Sequence, residues 1–157
     1  MDGYAYQRPL GKIEDDPALR NLLIAVFDRR TKEDAVRFGL AYGRHLLDVT
    51  GFAPCVEVAA AFEAMQRWLD GAASYHEARN IAFKDLYRLA REDGDAVRLK
   101  FYQAMAQLAC IPHVKFHALW AADFAVALVN AMHPGNAEEV RNERRTQVAL
   151  LEASGKA

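Results

Sequence analysis

The sequence has few of the residues and motifs from which enzyme active sites are usually built. Its two cysteines, Cys55 and Cys110, lie in no Cys-x-x-Cys pair or other zinc-type spacing. Two thiols in a chain of this size indicate reduced, structural cysteines. The two serines, Ser74 and Ser154, lie in no Gly-x-Ser-x-Gly elbow, and glycine-rich phosphate-binding loops are absent from the sequence. We therefore predict a protein that is not an enzyme and that needs no cofactor.

The sequence also lacks an excess of charge of either sign. It contains 20 lysines and arginines against 21 acids, which gives a formal net charge of −1. The signs are interleaved and form no basic face, so we predict no nucleic-acid partner. No secretory signal is recognisable, and the apolar stretch 118–132 contains Asp123 and is shorter than the ~20 residues that a membrane span needs. We expect a cytoplasmic protein with no membrane contact.

The spacing of apolar residues predicts an all-α fold. These residues recur at intervals of three and four, whereas the alternating β-branched runs typical of strands are absent. Signals for the start of a helix recur along the chain, at Asp16-Pro17, Thr31, Pro54, Ser74 and Asn136, while Gly94-Asp95 and Pro112 indicate breaks between helices. They predict a single-domain array of about seven helices over residues 16–153, preceded by an extended N-terminal arm over residues 1–15.

Residues 113–132 are predicted to form the central helix. From Ala118 to Met132 this segment is apolar on nearly every side, and a helix of that kind must be enclosed by other helices. It nevertheless carries His113 and His117 near its start and Asp123 in its middle. Because buried polar groups need partners, any functional site is expected to lie here.

Asp123 is expected to be paired, since its helical neighbours are all apolar. Arg44 and His45 lie in a similar apolar setting, which predicts a bridge from Asp123 to one of them. Such a bridge would either fix how two helices dock or form the floor of a polar pocket. Both interpretations stay open at this point.

Three further residues complete the candidate polar pocket. Arg79 lies in the first turn of the fourth helix, where a cation is poorly placed, so it is expected to pair with a carboxylate elsewhere. His113 and His117 would share one face of a helix, where they are weak candidates for a metal site. Alternatively, both imidazoles bond backbone carbonyls that the break at Pro112 leaves free. The six candidate residues are Arg44, His45, Arg79, His113, His117 and Asp123.

The order of features from Trp68 to Leu151 resembles a known protein family. The residues that carry the likeness are Trp68-Leu-Asp-Gly71, Glu77-Ala-Arg79, Glu92-Asp-Gly94, Ala106-Gln-Leu-Ala109, His113-Val114, His117-Ala118, Ala121-Ala122, Phe124-Ala125, Glu143 and Gln147. Together they are similar to the all-helical immunity proteins of bacterial polymorphic toxin systems, whose signature is AHV..HA..AA.YA. This chain departs from the signature at Pro112 and Phe124, and it has Thr146 where a Trp is usual.

The resemblance implies a protein that binds a toxin domain through its surface and blocks it. If the toxin is basic, acidic and aromatic groups on loops are expected to carry the contact. The residues themselves leave two other classes open. One is a metal- or small-molecule-binding helical domain centred on His113, His117 and Asp123, and the other is a homo-oligomeric structural module.

Overall fold

The computed structural model describes residues 13–155 and confirms an all-α fold. Within that range the backbone forms seven continuous helices, as predicted. They are α1 (Pro17–Asp28), α2 (Lys32–Thr50), α3 (Val56–Leu69), α4 (Tyr75–Ile81, the π-helical turn Ala82–Leu86 and Tyr87–Glu92), α5 (Ala96–Ala109), α6 (His117–Met132) and α7 (Ala137–Ser154). Most of the predicted arm, residues 1–12, lies outside the described residues, and the division into arm and domain stays a prediction.

Five of the seven helices begin after a residue whose side chain caps the first turn. The side chains of Asp16, Asp95 and Asn136 each accept a hydrogen bond from a backbone N–H in the first turn of the helix that follows. Thr31 and Asp34 form a reciprocal capping box at the start of α2.

The end of α2 and the start of α4 show how far these signals reach. Gly51 ends α2 in the left-handed conformation, with φ of 72°, which glycine adopts without steric cost. Ser74 caps α4 only through His76 N–H. Glu77, three residues after Ser74, stands where the partner of a capping box would be, but its side chain forms an ion pair with Arg67 at 3.2 Å.

Helix α4 contains a π-helical turn that the sequence did not indicate. The backbone N–H of Tyr87 bonds the carbonyl of Ala82, five residues earlier, and this widens the helix over Ala82–Leu86. Such turns are rare in α-helices and occur frequently at functional sites. The turn carries the exposed side chain of Phe83.

The central helix begins at His117, four residues later than predicted. Residues 110–116 form consecutive turns, in which the carbonyl of Cys110 accepts the backbone N–H groups of both His113 and Val114. Pro112 supplies no backbone donor and disfavours helical geometry before it, so the helix cannot continue through this point. His113 and His117 therefore do not share a helix face.

Helix α6 is enclosed, as its composition predicts. It lies between α5 and α7, and α2 packs against all three. Ten of its sixteen residues are buried, including Asp123, which is 0% exposed. No helix of the described chain is both long and apolar enough to cross a membrane.

Two glycines of α2 allow the turns before α6 to approach closely. A Cβ atom at Gly39 would lie 2.9 Å from Ile111 Cδ1, and one at Gly43 would lie 2.5 Å from Phe62 Cε1. Any larger residue would push these neighbours away. The glycines thus hold the 110–116 turns and α3 against α2.

Candidate functional site

The six predicted site residues lie in three separate places. Asp123 and His45 belong to one buried polar network, whereas Arg79, His113 and His117 come together at the start of α6. Arg44 is exposed and lines a surface cleft with Gly51 and Phe52. The prediction of one pocket shared by these residues is therefore not what the fold produces.

Asp123 pairs with arginines other than the one predicted. Its Oδ1 accepts from Arg144 Nη2 at 2.7 Å, and Arg20 of α1 donates to both of its oxygens, at 3.3 and 3.2 Å. The expected bridge to Arg44 or His45 is wrong, because Arg44 points to solvent and His45 contacts Glu143. The expectation that a buried Asp123 would be paired is confirmed.

Arg144 is the hub of this network. Its side chain is 0% exposed, and Nε and Nη2 bond the two oxygens of Asp15 at 2.8 and 2.9 Å. Nη1 donates to Gln147 Oε1 at 3.0 Å. Burial alone lowers the pKa of Arg144, but the hydrogen bonds and charges of Asp15 and Asp123 outweigh it and raise the pKa above its ordinary value. The guanidinium therefore stays charged in the interior.

The network continues from Gln147 to the surface at His45. Gln147 Nε2 donates to Tyr42 Oη at 2.7 Å and to the carbonyl of Ala122 at 3.0 Å. The hydroxyl of Tyr42 donates to Glu143, whose carboxylate also contacts His45 Nε2 at 3.0 Å. Burial, followed by the negative charge of Glu143, raises the pKa of Tyr42 well above its ordinary value.

The network joins α1, α2, α6 and α7, and its polar groups are occupied by one another. It meets solvent at a cleft of about 140 Å³ that His45 and Glu143 line together with His133. A group whose hydrogen-bonding capacity is filled from within has little left for a substrate. The arrangement fits a structural role in docking four helices, the first of the two interpretations of Asp123.

A second group of residues, which we call the α4 patch, combines aromatic, basic and apolar side chains near the start of α6. Its members are Tyr75, His76, Arg79 and Phe83 of α4, with His113 and Val114 of the adjoining turns. The ring of Tyr75 stacks between those of His76 and His113, with centroids 4.0 and 4.5 Å away. The guanidinium of Arg79 lies 5.0 Å from the centroid of Phe83, a cation–π contact.

The charged groups around His113 are all basic. Burial lowers its pKa, and the positive charges of Arg79, Lys32 and His76 lower it further. Lys32 also reaches the backbone carbonyl of His113 at 3.5 Å. These neighbours make the surroundings of His113 locally positive, although the chain as a whole is nearly neutral.

His117 lies beneath the α4 patch in a short chain of hydrogen bonds. Its Nδ1 lies 2.7 Å from Gln107 Oε1, and Gln107 Nε2 donates to Tyr87 Oη at 2.5 Å. This arrangement makes Nδ1 the protonated nitrogen of a neutral ring. Burial, with the positive charges of His113 and Arg79, lowers the pKa of His117 from 6.5 to about 4.

The hydrogen-bond partner of His117 differs from the one that the sequence predicted. The side chain of His117 bonds Gln107 rather than a freed carbonyl, because backbone N–H groups already occupy the carbonyl of Cys110. Within residues 13–155, no three His, Cys, Asp or Glu side chains lie close enough together to hold a metal ion. Burial also raises the pKa of the Cys110 thiol to about 11, which disfavours the thiolate that a metal would need.

The sequence interpretation missed Arg144 and Arg20, the arginine partners of Asp123, although a signal for each exists. Arg144 lies four residues from both Val140 and Val148, so it falls on the apolar stripe of α7. Arg20 precedes Leu23 on the buried side of α1 by three residues. A charged residue on such a stripe predicts a buried ion pair, a rule that applies to both arginines.

The comparisons with known proteins identify a family. A family model described as Imm-5 like putative immunity protein matches residues 25–154, which span the chain from the end of α1 to the end of α7. No curated protein and no solved structure gives a significant match.

Proposed function

The chain belongs to the Imm-5 like family of immunity proteins, and on that premise we propose that it binds a bacterial toxin domain and blocks its activity. The observation that carries the proposal is the family match over residues 25–154. The proposed mechanism is occupation of the toxin's surface, with no chemical step performed by this chain. The encounter is placed in the cytoplasm, where a toxin delivered into the cell would act.

Two features of the structure support binding without catalysis. The most buried ionisable groups, Arg144 and Asp123, neutralise one another inside the fold. The interior histidine, His117, is kept neutral and has one ring nitrogen bonded to Gln107. Both features give a rigid scaffold, and a rigid surface binds a partner with a small loss of conformational entropy.

Co-expression tests the proposal directly. A toxin domain encoded beside the gene for this chain is induced in bacteria with and without the chain, and growth is recorded. We expect growth to be restored by the chain, and the purified pair to elute as one complex in size-exclusion chromatography. Failure to protect against the neighbouring toxin, with the chain folded and expressed, would overturn the proposal.

The chromatography also separates this function from the other classes. If the chain bound the toxin domain but did not restore growth, the binding would serve a role other than immunity. A self-associated chain that ignores the toxin would favour a homo-oligomeric structural module. The alternative of a small-molecule site centred on His113, His117 and Asp123 has weaker support, since Asp123 and His117 have separate hydrogen-bond partners.

A further inference from the structure

We infer that the α4 patch is the surface that receives the toxin, and that the toxin presents carboxylate side chains to Arg79. This inference rests on the proposed function and adds the face of the molecule and the chemistry of the partner. It differs in sign from the sequence expectation, in which acidic and aromatic groups on loops would carry the contact if the toxin were basic.

Arg79 is a cation without a counter-charge among the described residues. Within residues 13–155 its guanidinium forms no ion pair and no hydrogen bond, and its contact is with the ring of Phe83. The nearest acid along the helix, Glu77, is already paired with Arg67. Among residues 13–155, therefore, no acceptor uses the five N–H donors of Arg79, and a carboxylate of a partner would match their fork geometry.

Several carboxylates on the surface, unlike Arg79, have a partner of opposite charge. These acids are neutralised locally: Asp93, in the loop before α5, pairs with Arg98 at 2.9 Å, and Glu138 of α7 pairs with Arg141 at 2.6 Å. Asp34 likewise pairs with Arg37. The α4 patch has the opposite pattern, because Arg79, which acts on His113 together with Lys32, is a cation with no ion pair among residues 13–155. Charge complementarity thus selects an acidic partner.

The α4 patch also has the residue composition of a protein-binding surface. Phe83 is 51% exposed and contacts the guanidinium of Arg79, and Val114 is 43% exposed and follows His113, whose ring stacks on that of Tyr75. Aromatic residues and arginine are the types that most often dominate the binding energy of an interface. Phe83 also lies in the π-helical turn, a local distortion that is frequent at functional sites.

A peptide probe tests the chemistry without a toxin. Acetylated tetraglutamate and tetralysine are titrated into the full chain, and the ring resonances of His76 and His113 are followed by NMR. We expect saturable shifts with tetraglutamate that weaken with added salt, and none with tetralysine. Equal responses to both peptides, or none, would overturn the inference, and a much stronger response to single-stranded RNA would assign the surface to nucleic acid instead.

Variants locate the response. Arg79→Glu is expected to abolish it, while Arg91→Glu makes the same charge change at an exposed position of the same helix and is expected to retain it. Phe83→Ala serves as a second variant, since its exposed ring contributes little to the core. Circular dichroism shows whether each variant is folded. Shifts that persist in Arg79→Glu would contradict the inference.

The toxin itself gives the decisive arm. We expect Arg79→Glu and Phe83→Ala to weaken binding of the neighbouring toxin domain by ~30-fold or more, as for central interface residues, with Arg91→Glu near wild type. Wild-type protection together with undiminished binding by both patch variants would refute the α4 patch and leave the proposed function standing. A wild-type chain that neither binds nor protects would refute both.

Discussion

Two arginines of this molecule have opposite surroundings: Arg144 lies in the buried network and Arg79 lies in the α4 patch. In the buried network Arg144 is enclosed by Asp15, Asp123 and Gln147, which together accept four of its five N–H donors. In the α4 patch Arg79 is partly exposed, stacks on one ring and meets no carboxylate within the described residues. The two regions differ in whether the described fold supplies a counter-charge, and on that difference we assign a structural role to Arg144 and propose a role in recognition for Arg79.

The comparison also explains why the two regions should respond differently to mutation. Removing one member of a buried, hydrogen-bonded ion pair leaves its partner charged and desolvated, which is costly to the folded state. Removing an exposed cation changes the stability little but alters the potential that a partner meets. We therefore expect mutations in the buried network to lower the stability, and mutations in the α4 patch to weaken binding of the partner.

The largest expected effect is on Arg144. Arg144→Met keeps an apolar stem but leaves Asp15 and Asp123 without their shared guanidinium, so we expect a loss of about 3–5 kcal/mol in the free energy of unfolding. Urea denaturation measures it. The matched control is Arg145→Met. Because the side chain of Arg145 is 55% exposed, this substitution should leave the free energy of unfolding nearly unchanged. Similar midpoints for the two variants would show that the network is not a structural centre.

The next effect is a pH dependence set by His117. The unfolded chain takes up a proton near pH 6.5, whereas the folded chain does so only near pH 4. Acidification through that window therefore favours unfolding, at a cost on the order of 2 kcal/mol. His117→Asn retains a donor toward Gln107 but cannot titrate, so its stability should fall less between these pH values. Parallel pH profiles for the two proteins would contradict a depressed pKa.

A smaller effect is expected at Tyr42. Tyr42→Phe removes the hydroxyl that links Gln147 to Glu143, and we expect a loss of about 1–2 kcal/mol by thermal or urea denaturation. Tyr75→Phe is the counterpart in the α4 patch, where the hydroxyl bonds no other residue in the described range. It should leave the stability unchanged, and an equal loss in both variants would blur the distinction between the two regions.

The smallest change in stability is expected for Arg79→Glu. Its cation–π contact with Phe83 is lost, but the repulsion from neighbouring cations is lost too, so the free energy of unfolding should change by less than about 1 kcal/mol. Calorimetric melting measures it. A strongly destabilised variant would mean that Arg79 has a structural role, and the α4 patch would then resemble the buried network.

The sequence was sufficient for the helices because their signals are local. Caps such as Asp16, Thr31 and Asn136 and the terminating Gly51 act within one turn of the residue that carries them. The apolar composition of α6 likewise required enclosure, whatever encloses it. Seven helices and a buried central one could be predicted for these reasons, whereas the family was reached through the resemblance of motifs such as His113-Val114 and His117-Ala118.

The site could be predicted only in part because its partners are distant in sequence. Asp123 was expected to be paired, but its choice of Arg144 and Arg20 over Arg44 depends on how α1, α2 and α7 dock. The turns at residues 110–116 depend on Pro112 together with the space above Gly39. No local pattern encodes such contacts, and the π-helical turn in α4 has no sequence signal that we recognise.

Growth protection by two variants measured side by side tests the central claim most directly. Cells co-expressing the neighbouring toxin domain receive the chain with Arg79→Glu or with Tyr42→Phe, at a temperature where both are folded. We predict that Arg79→Glu, although stable, fails to protect, and that Tyr42→Phe, although less stable, protects like wild type. Protection by Arg79→Glu together with failure of a folded Tyr42→Phe would contradict the assignment of recognition to the α4 patch and of structure to the buried network.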